Sequence, residues 1–63
     1  MDLGTAVEFM VNGKWRQGVV VELGEPKEID GEMYPQVRVA WKNMVGTNYK
    51  SLFPVHPAIM RLK

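Results

Sequence analysis

The chain contains no cysteine and a single histidine, His56. Disulfides and thiolate metal sites are therefore excluded, and a structural zinc site has only one candidate ligand. No apolar run approaches the ~20 residues of a membrane helix. The opening, MDLGTA, has neither the basic region nor the apolar stretch of a secretion signal. A cytoplasmic location is expected, or a nuclear one in a eukaryote. Lack of cysteine suits a reducing compartment without requiring it. Catalytic signatures are missing too: there is no Ser-His-Asp set and no glycine-rich phosphate loop. His56 lies between Val55 and Pro57, a turn setting in which a packing or surface role is expected rather than that of a base. No enzymatic activity, cofactor or metal is expected.

Length is also in short supply. At 63 residues the chain is one domain, residues 1–63. A domain of this size buries about 60% of the surface its unfolded chain exposes, and its core supplies only a few kcal/mol. The 46% hydrophobic content is that of a globular protein, not a disordered one. With no covalent staple, packed apolar side chains must hold the fold, and self-association is a further source of stability open to it.

Acid is scarce outside one segment. Residues 22–32 hold Glu22, Glu25, Glu28, Asp30 and Glu32 against Lys27, a net charge of −4. The rest of the chain holds Lys14, Arg16, Arg38, Lys42, Lys50, Arg61 and Lys63 against Asp2 and Glu8, a net charge of +5. From Met33 onward there is no acid at all. The overall +1 thus hides an asymmetry able to steer a partner. Chance clustering of solvated charges is the plain alternative.

What is present is period-two alternation. In AVEFMV, Val7, Phe9 and Val11 share one face. In WRQGVVVEL, Trp15, Gln17, Val19, Val21 and Leu23 fall on one side. In QVRVAWK, Val37, Val39 and Trp41 alternate with Gln36, Arg38, Ala40 and Lys42, a half-buried strand. TNYKSLF and IMRLK complete the set, and no window has sustained helical periodicity with caps. Asn12-Gly13 and Asp30-Gly31 are strong signals for two-residue hairpins with type I′ turns. Gly24-Glu25-Pro26 predicts a bend or bulge with KEI and EMY as a hairpin tip beyond it. Gly46 marks a third turn, and Pro54 and Pro57 bracket an expected 3₁₀ turn before the last strand. The expected core is Val7, Phe9, Val19, Val21, Val37, Val39, Leu52 and either Ile59 or Leu62. Five short strands in this order predict an all-β barrel or two orthogonal sheets.

The stretches G-T-A-V, N-G-K-W-R-Q-G-V-V-V, Q-V-R-V-A-W, G-T-N-Y-K-S-L and M-R-L together resemble the SH3-like barrel superfamily, Tudor-type domains within it. The Q-V-R-V-A-W and G-T-N-Y pieces are also similar to the CPH domain of cullin-type ligases and to the C-terminal domain of retroviral integrases. The likeness spans nearly the whole chain and implies a small five-stranded barrel with many uses. K-S-L-F-P-V is similar in position to the pore motif V-Q-I-Y…P-V of type II dihydrofolate reductase, an oligomeric enzyme. Ser51 stands where that family has glutamine and Phe53 where it has tyrosine, the groups that bind cofactor and substrate. The departure leaves shared architecture as the implication.

Three groups of residues carry the functional expectations. Trp15, Tyr34, Trp41 and Tyr49 are expected near one barrel mouth. In Tudor-like domains such residues cage a methylated cation at roughly 0.5–2 kcal/mol per contact, and Asp30 or Glu32 would supply the acid. The structural alternative is that the tryptophans cover the barrel ends. Arg38, Lys42 and Lys50 alternate with apolar positions and should point to solvent. With Lys14, Arg16 and Arg61 they form a candidate phosphate-contacting face, although a pI of about 8.1 is low for a nucleic-acid binder. The acidic hairpin suits a basic partner, or simple solubility. The leading expectation is a non-enzymatic protein-binding module, using Trp15, Tyr34, Trp41, Tyr49, Arg38, Lys42 and Lys50 toward an acidic surface or a methylated basic tail. DNA or RNA binding by the basic residues is the alternative, and a reductase-like oligomer a distant third.

Overall fold

The alternating segments become seven strands in the computed structural model, which describes residues 1–63. β1 (Ala6–Val11) and β2 (Lys14–Leu23) join through Asn12 and Gly13, whose φ values are 50° and 78°. β3 (Lys27–Ile29) and β4 (Glu32–Tyr34) join through Asp30 and Gly31, at 50° and 84°. Both pairs sit in the left-handed region that a type I′ turn demands, which is why Asn, Asp and Gly stand there. β5 (Gln36–Lys42), β6 (Asn48–Pro54) and β7 (Met60–Leu62) follow. The five longer-range strands form one antiparallel sheet in the order β6-β5-β2-β1-β7, while β3 and β4 form a separate two-stranded ribbon. No helix is long and apolar enough to cross a membrane.

The all-β class and the five main strands match the sequence reading. The closed barrel does not: β6 and β7 are free edges, and the sheet stays open. Proline explains part of this. Pro54 ends β6 and Pro57 follows shortly, and neither has an N–H to extend a ladder. Between them Val55 donates to the Pro35 carbonyl at 2.7 Å, across the end of the core. The expected 3₁₀ segment is instead a hydrogen-bonded turn. The His56 carbonyl accepts from Ile59 and Met60, both at 2.8 Å, and His56 Nδ1 accepts from the Ala58 N–H at 3.0 Å.

The core is Val7, Phe9, Val20, Val37, Val39 and Met60, with Val11, Trp41, Phe53 and Val55 packed against it. Directly opposed residues of an antiparallel pair project to the same face, so the register explains the membership. Val7 opposes Gly18 and Phe9 opposes Arg16, which turns even-numbered β2 positions inward. Val19 and Val21, expected in the core, are instead 42% and 41% exposed. Gly18 is the reason. A Cβ there would lie 2.5 Å from Val39 Cγ1, 2.7 Å from the Ala40 carbonyl and 3.0 Å from Phe9 Cε1. Its neighbours fill the space a side chain would take. Leu52, also expected inside, opposes Arg38 on the outer face, and Met60 takes the buried place assigned to Ile59 or Leu62. The interruption expected at Gly24-Glu25-Pro26 is present, since β2 ends at Leu23 and the KEI–EMY hairpin follows from Lys27, and a separate β-bulge lies at Val21.

Candidate functional site

β5 behaves as its alternation dictates. Val37 and Val39 are buried, and Arg38, Ala40 and Lys42 project from the outer face. The β5–β6 register sets Trp41 opposite Tyr49, Ala40 opposite Lys50 and Lys42 opposite Asn48. Trp41 and Tyr49 therefore stack, with ring centroids 4.8 Å apart and planes at 25°. The indole is fixed from two more sides: its Nε1 donates to Ser51 Oγ at 3.2 Å, and it meets the edge of Phe9 at 5.4 Å. Tyr49 keeps 42% of its surface exposed, and its hydroxyl accepts from Asn43 Nδ2 at 3.4 Å.

The turn beyond is also locked. Asn43 Oδ1 accepts from the N–H groups of Val45 and Thr47 at 3.1 and 2.8 Å, and Gly46 takes φ 86°. Such an Asx arrangement holds a loop in one shape. It leaves Met44 and Val45 at the apex, 80% and 85% exposed. An open hollow of about 600 Å³ lies on this hairpin, lined by Ala40, Trp41, Lys42, Asn48, Tyr49 and Lys50. Neither lysine has an ion-pair partner, since the two salt bridges of the chain use Arg38 with Glu22 and Arg61 with Glu8.

The other two candidate aromatics lie elsewhere, so the structure does not bring all four to one mouth. Trp15 opposes Met10 on the outer face, and the Arg61 guanidinium covers its ring at 3.8 Å. Tyr34 meets His56 edge-on at 4.6 Å. Its hydroxyl donates to Glu32 Oε2 at 2.9 Å. That hydrogen bond, then desolvation and the Glu32 charge, raises the Tyr34 pKa above its ordinary value. Glu32 thus stands with Tyr34 and Asp30 lies in the turn of the same ribbon, while the hollow at the Trp41–Tyr49 stack is lined by Lys42 and Lys50 and by no carboxylate. A cage for a cationic ligand needs the reverse arrangement.

The six candidate phosphate-binding cations divide in the same way. Arg38, Lys42, Lys50 and Arg61 share the outer face. Arg38 pairs with Glu22 at 3.5 Å and Arg61 with Glu8 at 3.0 Å, which offsets half of that charge. Lys14 opposes Val11 and Arg16 opposes Phe9, so both follow the inner phase. Arg16 Nε is enclosed with no hydrogen-bond partner. No three His, Asp or Glu side chains gather closely enough to hold a metal ion. Alternation located Trp41, Lys42, Tyr49 and Lys50. It gave no signal for Asn48, which lines the hollow, or for Met44 and Val45, which the turn set by Asn43 leaves exposed at the apex. Comparison with models of protein families, with curated proteins and with solved structures finds no match to this chain.

Proposed function

We propose that this chain is a small, non-enzymatic binding module that docks an acidic protein segment on its β5–β6 hairpin. The observation that carries the reading is the hollow on this hairpin, lined by the Trp41–Tyr49 stack, held rigid by Ser51, Asn43 and Phe9 on the inner face, and by Lys42 and Lys50, which reach it from the outer face and have no ion-pair partners. A rigid aromatic pair offers contact area at low entropic cost, and unpaired lysines steer and orient an acidic partner. Met44 and Val45 extend the apolar contact at the apex. Trp15 and Tyr34 are not part of this surface. The strand layout is read as an opened relative of the SH3-like arrangement.

Nucleic acid is the second reading, favoured by the four cations of the outer face. Two of them are already neutralised within the chain, which ranks it below the first. An NMR titration with pooled acidic peptides, run beside a mixed-sequence oligonucleotide, separates the two. The peptide arm should shift the amides of Ala40, Lys42, Asn48 and Lys50. Tyr49→Ala, or Lys42→Glu with Lys50→Glu, should weaken binding about tenfold or more at unchanged fold, a loss of about 1.4 kcal/mol. Shifts centred elsewhere, or indifference to these substitutions, overturn the proposal. Steep salt-dependent shifts with the oligonucleotide alone transfer it to the second reading.

A further inference from the structure

We propose that the acidic β3–β4 hairpin of one copy seats in the β5–β6 hollow of another, so that the chain associates head to tail. The inference rests on the reading of that hollow as a docking surface, and it names one occupant. The hairpin carries Glu25, Glu28, Asp30 and Glu32 against Lys27, a net charge of −3. None of these carboxylates is in a salt bridge. The tight Asp30-Gly31 turn makes the ribbon narrow at its tip. On one face of it Glu28 lies directly opposite Met33, and Met33 is 63% exposed.

The two surfaces match in kind. The ribbon offers a carboxylate beside a thioether, and the hollow is lined by two lysines and an aromatic stack that reach it from opposite faces of the hairpin. Carboxylate with ammonium and sulfur with aromatic ring are both favourable contacts. The match cannot be satisfied within one chain. The ribbon leads into the start of β5, whereas Ala40, Trp41 and Lys42 lie at its far end. A strand of that length spans about 20 Å, and the molecule is 37 Å long. The tip and the hollow are therefore held apart by about the length of β5, and only a second copy can bring them together. Tip and hollow are different surfaces, so their contact is heterologous.

Sedimentation equilibrium of the full chain tests this. At low ionic strength the mean mass should rise with concentration, and at high salt it should return to that of one chain. Lys42→Glu with Lys50→Glu removes the hollow's charge, and Glu28→Lys with Asp30→Asn neutralises the tip. Asn tolerates the positive φ of position 30. Each variant alone should stay monomeric with its strand circular dichroism intact. If the first fails to fold, Lys42→Gln with Lys50→Gln replaces it. Mixed in equal amounts, the two variants retain one intact tip and one intact hollow, so a heterodimer should form and grow no further. A wild-type chain that stays monomeric at all concentrations, a variant that associates as well as wild type, or a mixture that stays monomeric overturns the inference. If acidic peptides still bind the hollow in that case, the docking reading stands and only its self-directed use fails. If neither occurs, both fail.

Discussion

Replacing Gly18 by alanine sets two physical effects against each other. Glycine in a strand costs about 0.5–1 kcal/mol relative to alanine. Gly18 is not among the positive-φ residues, so backbone preference alone predicts that alanine stabilises the chain. Packing predicts the opposite. The new Cβ would stand 2.5 Å from Val39 Cγ1 and 2.7 Å from the Ala40 carbonyl oxygen, with Phe9 Cε1 at 3.0 Å. Val39 is β-branched and buried, the carbonyl is backbone, and Phe9 is held by Trp41 and Phe53 at centroid distances of 5.4 and 4.7 Å. None can yield cheaply. Overpacking of this kind costs about 1–3 kcal/mol, which exceeds the backbone gain. The expected result is a net loss of about 1–2 kcal/mol and a fall in Tm of about 4–8 °C per kcal/mol for so small a domain. Urea unfolding followed by tryptophan fluorescence measures it, with an unchanged slope against denaturant. Adding Val39→Ala removes the nearest obstacle, so the double variant should lose less than the sum of the singles. A Gly18→Ala protein as stable as wild type, or more so, would refute the inward phase of β2 and with it the core described above.

Other expectations follow from the same geometry. Val20→Thr buries a hydroxyl among valines and should cost about 1–3 kcal/mol, whereas Val19→Thr on the outer face should stay within about 0.5 kcal/mol; denaturation curves of the pair test the phase independently. In a Tyr49→Phe background Tyr34 is the sole tyrosine, and ultraviolet titration should place its ionisation above the ordinary value near 10, falling back toward it in Glu32→Ala. Because the folded-state value is raised, its stabilising contribution is fully present below the unfolded pKa and is lost as pH rises through the folded one. Arg61→Ala uncovers Trp15 and frees Glu8; it should red-shift the indole emission and cost about 0.5–1 kcal/mol at this exposed site. Gly13→Ala forces a side chain into φ 78° and should cost about 1 kcal/mol, read from the thermal midpoint.

Where sequence and structure part company, the cause is particular. AVEFMV and QVRVAWK contain one apolar phase each, so only one face could turn inward. β2 contains Val19, Val20 and Val21 in succession, which satisfies either phase, and Trp15 favours the odd one. The deciding residue was Gly18, whose lack of a side chain is silent in a hydrophobic pattern but leaves the gap that Val39 and Phe9 fill. The same ambiguity in IMRL exchanged Met60 for its neighbours. Barrel closure was beyond local pattern altogether. It depends on whether the chain after Pro54 pairs with β6 or crosses to β1, and that choice is made by contacts distant in sequence, such as Val55 with Pro35.

The proposed binding surface divides along the same line. Trp41, Lys42, Tyr49 and Lys50 belong to one hairpin, so a local register was enough to place them together. Trp15 and Tyr34 were equally plausible as sequence, but their neighbours Arg61 and His56 come from the chain's last segment. Likewise Glu22 and Glu8 neutralise Arg38 and Arg61 from other strands. Pairing across the fold thus subtracts from the list of free aromatics and free cations, and it spares those at the β5–β6 hairpin. The acidic segment escapes subtraction for a different reason. It is inserted between β2 and β5 as a ribbon of its own, joined to the sheet at the end of β5 remote from the lysines. An asymmetry that is only a count along the chain becomes a dipolar body through that single feature of topology. Reversing the charge at either end should therefore alter association far more than it alters folding.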